Sequence, residues 1–372
     1  AGAGGVVVRK PPSGLHVGGE CSSRAACGKH GMCHMGECWC AILYTGSACQ
    51  GSTELPRTGH LHKFKARFDG PITMNKHDLH GKNSINVFLP GKESDKDGGH
   101  RTLGRVTPAL RAAVPEIDVF EGKVWEKCAV VGSSGILLHY ERGAEIDQHD
   151  FVMRFNSAPT KRFERHVGSK TTHRITNTQN WAFHEFPEEN LLVHMRSTSS
   201  LGGYLATRDG APKIKMYAFD PAFVEYVATG MDFMATSGLY GIIIALQNCA
   251  HVDLYGFQVS VQHGAASYHY YNECDQPANA GRDDSEWHLV KAFVEAGVAT
   301  FAEPCVMECH ESKAVCEECK QRVDFPKRQA KPVAELKKKC PRCSFQFGGC
   351  RPPAHWAFRR ARRGTHEGRS HG

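Results

Sequence analysis

No run of about 18 apolar residues occurs anywhere in this chain of 372 residues, so nothing in it has the length to cross a bilayer as a helix. Internal repeats are absent as well, which sets aside solenoids and propellers. The first residue is Ala1 rather than methionine, and an N-terminal signal or membrane anchor is expected outside the chain. Evenly spread basic charge is also missing. The formal net charge is +7, but residues 351–372 hold six arginines against one glutamate, which is +5 of that total. This tail has no hydrophobic periodicity and reads as a solvated, disordered extension, with binding to acidic glycans or a membrane surface as the sharper alternative. No nucleic-acid partner is expected from it.

Cysteine, by contrast, is plentiful. Cys21, Cys27, Cys33, Cys38, Cys40 and Cys49 follow the spacing C-x5-C-x5-C-x4-C-x-C-x8-C, with Tyr44-Thr45-Gly46 shortly before the last. So short a segment cannot build a core and needs disulfides in an oxidising compartment, so the chain reads as lumenal or extracellular. Zinc is the alternative for any such cluster. The single C-x-C and the aromatic-glycine ending resemble an EGF-like module over residues 21–50, after a disordered segment 1–20. That resemblance implies the pairs Cys21 with Cys33, Cys27 with Cys38 and Cys40 with Cys49.

Residues 51–104 are polar, rich in Gly, Lys and His, and weakly periodic, and read as a linker with at most a short strand near Ile85–Leu89. Asp95-Lys96-Asp97 has the form of a metal-binding Asp-x-Asp but sits among glycines and charges with no strand before it, as a solvated loop would. From about 105 to 307, apolar strand-like segments alternate with helical ones, the pattern of a doubly wound α/β sheet. Strands are expected at Cys128–Val131, Phe151–Phe155, Leu191–His194, Lys213–Phe219, Val252–Phe257 and Val298–Phe301, and helices at Gly238–Cys249 and Glu286–Ala296.

The first strand ends in Gly132-Ser133-Ser134-Gly135 and the second in Asn156. Open α/β sheets hold nucleotides at such strand ends, because a glycine turn lets phosphate approach backbone N–H groups. An ordinary βα connection has the same look. Thr236-Ser237-Gly238 begins a helical stretch, where hydroxyls and unpaired N–H groups suit a phosphate, although an N-cap explains Thr-Ser equally.

The stretch from Cys128 to His173 resembles the long motif of the eukaryotic sialyltransferases (glycosyltransferase family 29), in which Cys128, Asp147, Asp150, Arg154, Asn156, Ala158, Pro159, Gly168, Thr171, Thr172 and His173 fall on the pattern. Thr236–Phe257 resembles the family's short motif and His269-Tyr270-Tyr271-Asn272 a third. The resemblance implies a Rossmann-like, variant GT-A fold of sialyltransferase type. It also implies metal-independent, inverting transfer of a keto sugar from a CMP-sugar to a glycan hydroxyl, with no cofactor for catalysis. Ser133, Ser134, Gly135, Asn156, Thr236, Ser237 and Gly238 would contact the donor, His269 would serve its phosphate, and Cys128 would pair with Cys249. The location implied is the Golgi lumen, as part of a type II membrane protein, with secretion as the alternative.

The departures are as informative. The family has a histidine five residues before a glutamate as general base, and if Glu286 is that glutamate the histidine's place is held by Gly281. His288 is the nearest substitute, or else a residue on the exposed side of its helix. Ser133 and Ile136 replace two asparagines usual in the glycine turn. Three hypotheses follow: a transferase of reduced activity, a non-catalytic lumenal carbohydrate-binding or scaffolding protein of the same fold, and an adhesion protein without a nucleotide site. CMP binding separates the third from the others, and turnover the first from the second. The donor, sialic acid or a Kdo-like relative, and the acceptor are unspecified.

Finally, Cys316-x2-Cys319 and Cys340-x2-Cys343, 20 residues apart, have zinc-ribbon spacing within residues 308–350, ahead of the basic tail 351–372. A structural zinc is expected there. The oxidising compartment favours instead disulfides with Cys305, Cys309, Cys350 or Cys274.

Overall fold

The structure, a computed structural model, describes residues 16–56, 61, 64–89, 99–229, 235–257, 266–272 and 284–323. At the N-terminus β1 (Val17–Glu20), β2 (Gly31–His34) and β3 (Glu37–Cys40) form an antiparallel sheet in the order β1-β3-β2, and β4 (Tyr44–Thr45) pairs with β5 (Gly51–Ser52). Disulfides join Cys21 to Cys33, Cys27 to Cys38 and Cys40 to Cys49. The unit is welded to the rest of the molecule: Ala41, Ile42, Leu43 and Tyr44 are buried in the main core. Ile42 N–H donates to the Cys249 carbonyl at 2.8 Å and the Tyr44 hydroxyl to Gln247 Oε1 at 2.6 Å.

Residues 64–89 and 99–104 belong to the folded domain rather than to a linker. They contribute α1 (Lys76–Leu79) and a hairpin of β6 (Ser84–Phe88) with β7 (His100–Arg105). Thr73 bridges to Phe219, Met74 N–H donates to the Ala218 carbonyl at 2.9 Å, and the buried Asp118 carboxylate accepts from Ile72 N–H and from Thr73 N–H and Oγ1. Polar residues here satisfy backbone groups along a sheet edge, and the buried apolar ones (Ile72, Met74, Leu79, Ile85, Val87) are too scattered to show a period. Asp95 and Asp97 lie outside the described residues.

After α2 (Pro108–Ala113) comes the central sheet of β8 (Trp125–Val131), β9 (Phe151–Phe155), β10 (His173–Thr176), β11 (Asn190–Val193), β12 (Met216–Ala218), β13 (Cys249–Tyr255) and β14 (Thr300–Phe301). Its order is β12-β11-β10-β9-β8-β13-β14, and neighbours run parallel. Cys128–Val131 and all of β9 are buried on both faces, which is why they read as continuous apolar runs rather than alternating ones. Connections include α3 (Gly143–Asp147), α4 (Glu164–Val167), α5 (Thr198–Gly210), α6 (Pro221–Ala228), α7 (Ser237–Asn248) and α8 (Asp284–Glu295). From Leu239 to Asn248 α7 is buried all round, the signature of a central helix. Cys128 and Cys249 are bonded, joining β8 to β13.

Strand order reverses at β8: β9 to β12 build outward on one side, and β13 then returns to the other. Such a switch opens a crevice at the carboxyl ends of the strands. Past the sheet, α9 (Val306–Glu311) and α10 (Lys313–Arg322) are tied together by Cys305–Cys319 and Cys309–Cys316. The boundary expected at residue 307 therefore falls inside α9, and the stapled unit starts at Cys305. Among the described residues no helix is long and apolar enough to cross a membrane.

Candidate active site

Three segments meet at the switch point. The turn after β8 lies against the end of β13, with Gly132 N–H donating to the Tyr255 carbonyl at 2.7 Å and Ser134 N–H to the Gly256 carbonyl at 3.2 Å. The same turn grips the segment that carries His269. Gly135 N–H donates to the Ser267 carbonyl and Tyr270 N–H to the Ser133 carbonyl, both at 2.8 Å, while Ser267 Oγ donates to the His269 carbonyl at 2.9 Å. Tyr270 is buried and its hydroxyl bonds the Pro159 carbonyl, which anchors the segment beneath His269. The His269 ring is half-buried and lies 5.0 Å from the Tyr271 ring.

These bonds alter the role expected of the glycine turn. The N–H groups of Gly132, Ser134 and Gly135 are taken by the protein, and Ile136 N–H donates to Ser134 Oγ at 3.3 Å. The turn is therefore a joint between two loops as much as a cradle, and Ile136, at an asparagine's place, is fully buried. Ser133 is the half-buried member of the turn.

Directly after the neighbouring strand β9, Asn156 lies in the left-handed region, with φ of 51°, which asparagine tolerates better than most side chains. Its Oδ1 accepts from Asn177 N–H at 3.1 Å and its carbonyl from Arg174 Nη1 at 3.0 Å. Arg174 is itself buried in an ion pair with Glu189 at 2.6 Å and reaches Glu185 at 3.2 Å, so the Asn156 corner rests on a fully neutralised guanidinium.

At the start of α7, Thr236 Oγ1 accepts from Leu239 N–H at 3.2 Å as an N-cap. Thr236 N–H donates to Glu286 Oε2 at 2.9 Å, and its hydroxyl to the other oxygen of that carboxylate. Glu286, from α8, thus supplies the negative group at this helix end, and among the described residues Ser237 and Gly238 N–H keep no protein acceptor. Ser237 Oγ lies 3.4 Å from His194 Nε2. Gly238 faces Phe257, and the Phe257 ring meets that of Phe155 just before Asn156, so the helix start opens on the same crevice.

His288 does not share the Glu286 side of its helix. Two residues along a helix is about 200° around it, so with Glu286 turned to Thr236, His288 faces away. Its ring sits 5.9 Å from His310 of α9. Gly281 lies outside the described residues. The zinc expectation also needs correction: Cys316 and Cys319 are bonded to Cys309 and Cys305, and a sulfur in a disulfide is no thiolate ligand. Cys340 and Cys343 lie outside the described residues. Among the described residues, the one group of three candidate metal ligands within reach of each other is Cys21, Cys27 and Cys38, all disulfide-bonded.

Two residues escaped the sequence reading. His194 follows β11 and is buried, and burial together with the Arg196 charge keeps its imidazole well below the usual range and hence neutral. Arg196, half-buried, donates from Nη2 to His194 Nδ1 and the Ala235 carbonyl, each at 3.4 Å, with no described carboxylate in ion-pair range. Burial lowers its pKa, so this cation beside α7 would gain from an anionic substrate. The available signal was a histidine and an arginine within three residues of the end of a buried strand.

Comparison with known proteins bears on the same residues. The family model of glycosyltransferase family 29 (sialyltransferase) matches residues 94–298. The chain is 36% identical over 176 residues to CMP-N-acetylneuraminate-beta-galactosamide-alpha-2,3-sialyltransferase 1 of Mus musculus, covering 42% of this chain and 51% of that protein. To the Gallus gallus protein of the same name it is 29% identical over 266 residues, covering 65% and 76%. A solved mammalian sialyltransferase matches with 30% identity and a TM-score of 0.41, over 53% of this chain and 73% of the other. The chain spans about half the length of the mouse relative, 51%.

Proposed function

The chain belongs to glycosyltransferase family 29, the sialyltransferases, and on that premise we propose that it binds a CMP-activated keto sugar at the carboxyl edge of the sheet and transfers the sugar slowly, with inversion, to a glycan hydroxyl. The observation that carries this reading is the pair of backbone hydrogen bonds locking the His269 segment onto the turn after β8, at the point where strand order reverses. A nucleotide seated there would have its phosphate near the His269 imidazole, whose ring N–H can donate to a departing phosphate. Asn156 and the first N–H groups of α7 border the same crevice, and Arg196 favours an anionic sugar. The relatives are named for a CMP-N-acetylneuraminate donor, which fits that preference. The N-terminal disulfide unit is read as EGF-like, and the chain as the lumenal part of a Golgi type II protein.

Gly281 at the family's base position favours slow transfer, since general-base catalysis contributes about 10² to 10⁴-fold. It also supports a second reading, a carbohydrate-binding protein that retains the fold without turnover. The test is calorimetric titration with CMP, followed by CMP-N-acetylneuraminate turnover in wild type and His269→Ala. CMP binding that His269→Ala weakens by about tenfold, the equivalent of one charge-assisted hydrogen bond, is expected. Failure of wild type to bind CMP would remove both readings. Binding without turnover leaves the second, and brisk turnover indifferent to His269→Ala would mean the site lies elsewhere.

A further inference from the structure

Glu303 lies beyond the family match, two residues past β14, and is 3% exposed. The β14 ladder ends where Ala302 N–H donates to the Leu254 carbonyl at 2.9 Å. Gly256, two residues further along, then has its N–H taken by a side chain, Glu303 Oε1, at 2.9 Å. The other oxygen, Oε2, is buried without a hydrogen-bond partner among the described residues. A buried carboxyl with an idle oxygen is costly, and an apolar residue would fill this place at less expense. What the acid provides that an apolar residue cannot is an acceptor for Gly256.

Gly256 is the hub of the donor crevice. Its carbonyl accepts from Ser134 N–H, the same turn bonds Ser267 and Tyr270, and His269 lies between those two. Spacing along this path has little slack: a Cβ on Gly132 would stand 2.5 Å from the Gly256 oxygen, and one on Gly135 2.4 Å from Ser267 Oγ. We propose that Glu303 is a positioning residue of the donor site, its carboxyl oxygen fixing Gly256 and, through the turn after β8, the place of His269. The inference deepens the transferase reading and rests on it for its catalytic meaning.

The experiment compares wild type, Glu303→Ala and Glu303→Gln by amide hydrogen exchange and by CMP titration, on the full chain. Glutamine keeps a carbonyl acceptor in the same volume. Losing one buried hydrogen bond of about 1.4 kcal/mol corresponds to tenfold, so Glu303→Ala is expected to exchange about tenfold faster in segments 132–138 and 266–272 and to bind CMP about tenfold more weakly. Glu303→Gln should restore both. Wild-type exchange in the two segments of Glu303→Ala would overturn the proposal. So would a Glu303→Gln protein as loose as Glu303→Ala, or one that does not fold. Should Glu303→Ala fail to fold, Glu303→Gln alone decides. If wild type does not bind CMP, the transferase reading fails, while the exchange pattern still reports on Glu303.

Discussion

Replacing Cys128 and Cys249 together by alanine tests how the sheet's centre is held. The bond closes a span of 121 residues, and no other cysteine lies between its ends, so nothing else shortens that loop in the unfolded chain. The chain-entropy relation, about 2.1 plus 1.5R ln n cal/mol/K, gives for this span about 16 cal/mol/K, or about 5 kcal/mol at 25 °C. Both sulfurs are fully buried, so their removal adds a further loss of packing. The bond also anchors Cys249, whose carbonyl receives Ile42 N–H from the N-terminal unit, so loosening should spread to that contact. Urea unfolding of the oxidised double variant against wild type is expected to show a stability loss of about 3 to 5 kcal/mol. A loss under about 1 kcal/mol would refute the reasoning, because it would mean that the unfolded chain is already restricted without the bond.

Two further outcomes follow from single carboxyls. Glu286→Ala leaves Thr236 N–H and its hydroxyl without their charged acceptor and should cost about 2 to 3 kcal/mol, read as a lower urea midpoint; an unchanged midpoint would show that the pair contributes nothing net. Burial pushes the Glu303 carboxyl up to about 7 from an ordinary value of 4.5, against Arg142, which favours ionisation, and with Glu145 and Tyr140 also facing it. The native state then keeps a proton that the unfolded chain releases, so this group's stability contribution is complete below about pH 4.5, falls by about 3 kcal/mol up to about pH 7, and is level above. Unfolding free energies measured across that window should slope downward in wild type and less in Glu303→Gln; equal slopes would show that Glu303 ionises normally.

Most of the sheet was legible in the chain because parallel strands buried on both faces announce themselves as apolar runs: Phe151–Phe155 matches its observed ends, and the α7 and α8 helices lie within two residues of theirs, whereas the central strand β10 (His173–Thr176), with its polar His173, Arg174 and Thr176, shows no such run. The candidate donor residues were legible only through motif resemblance, since local pattern alone cannot tell a nucleotide turn from an ordinary connection. Tertiary structure decided what those residues touch. It turned Glu286 toward Thr236 and His288 toward His310, because 200° of helix separates them. It paired Cys316 and Cys319 with Cys309 and Cys305 rather than with each other's neighbours across residues 320–340, because helices α9 and α10 lie side by side. It also absorbed residues 64–89 into the domain through edge hydrogen bonds that carry no hydrophobic period. Composition and short-range spacing, then, determined most of the sheet's strands and its central helix, since burial writes itself into sequence. Partners distant in sequence, such as Glu303 with Gly256 or Arg196 with Ala235, were decided only by folding, because a hydrogen bond across a crevice imposes no period on either strand.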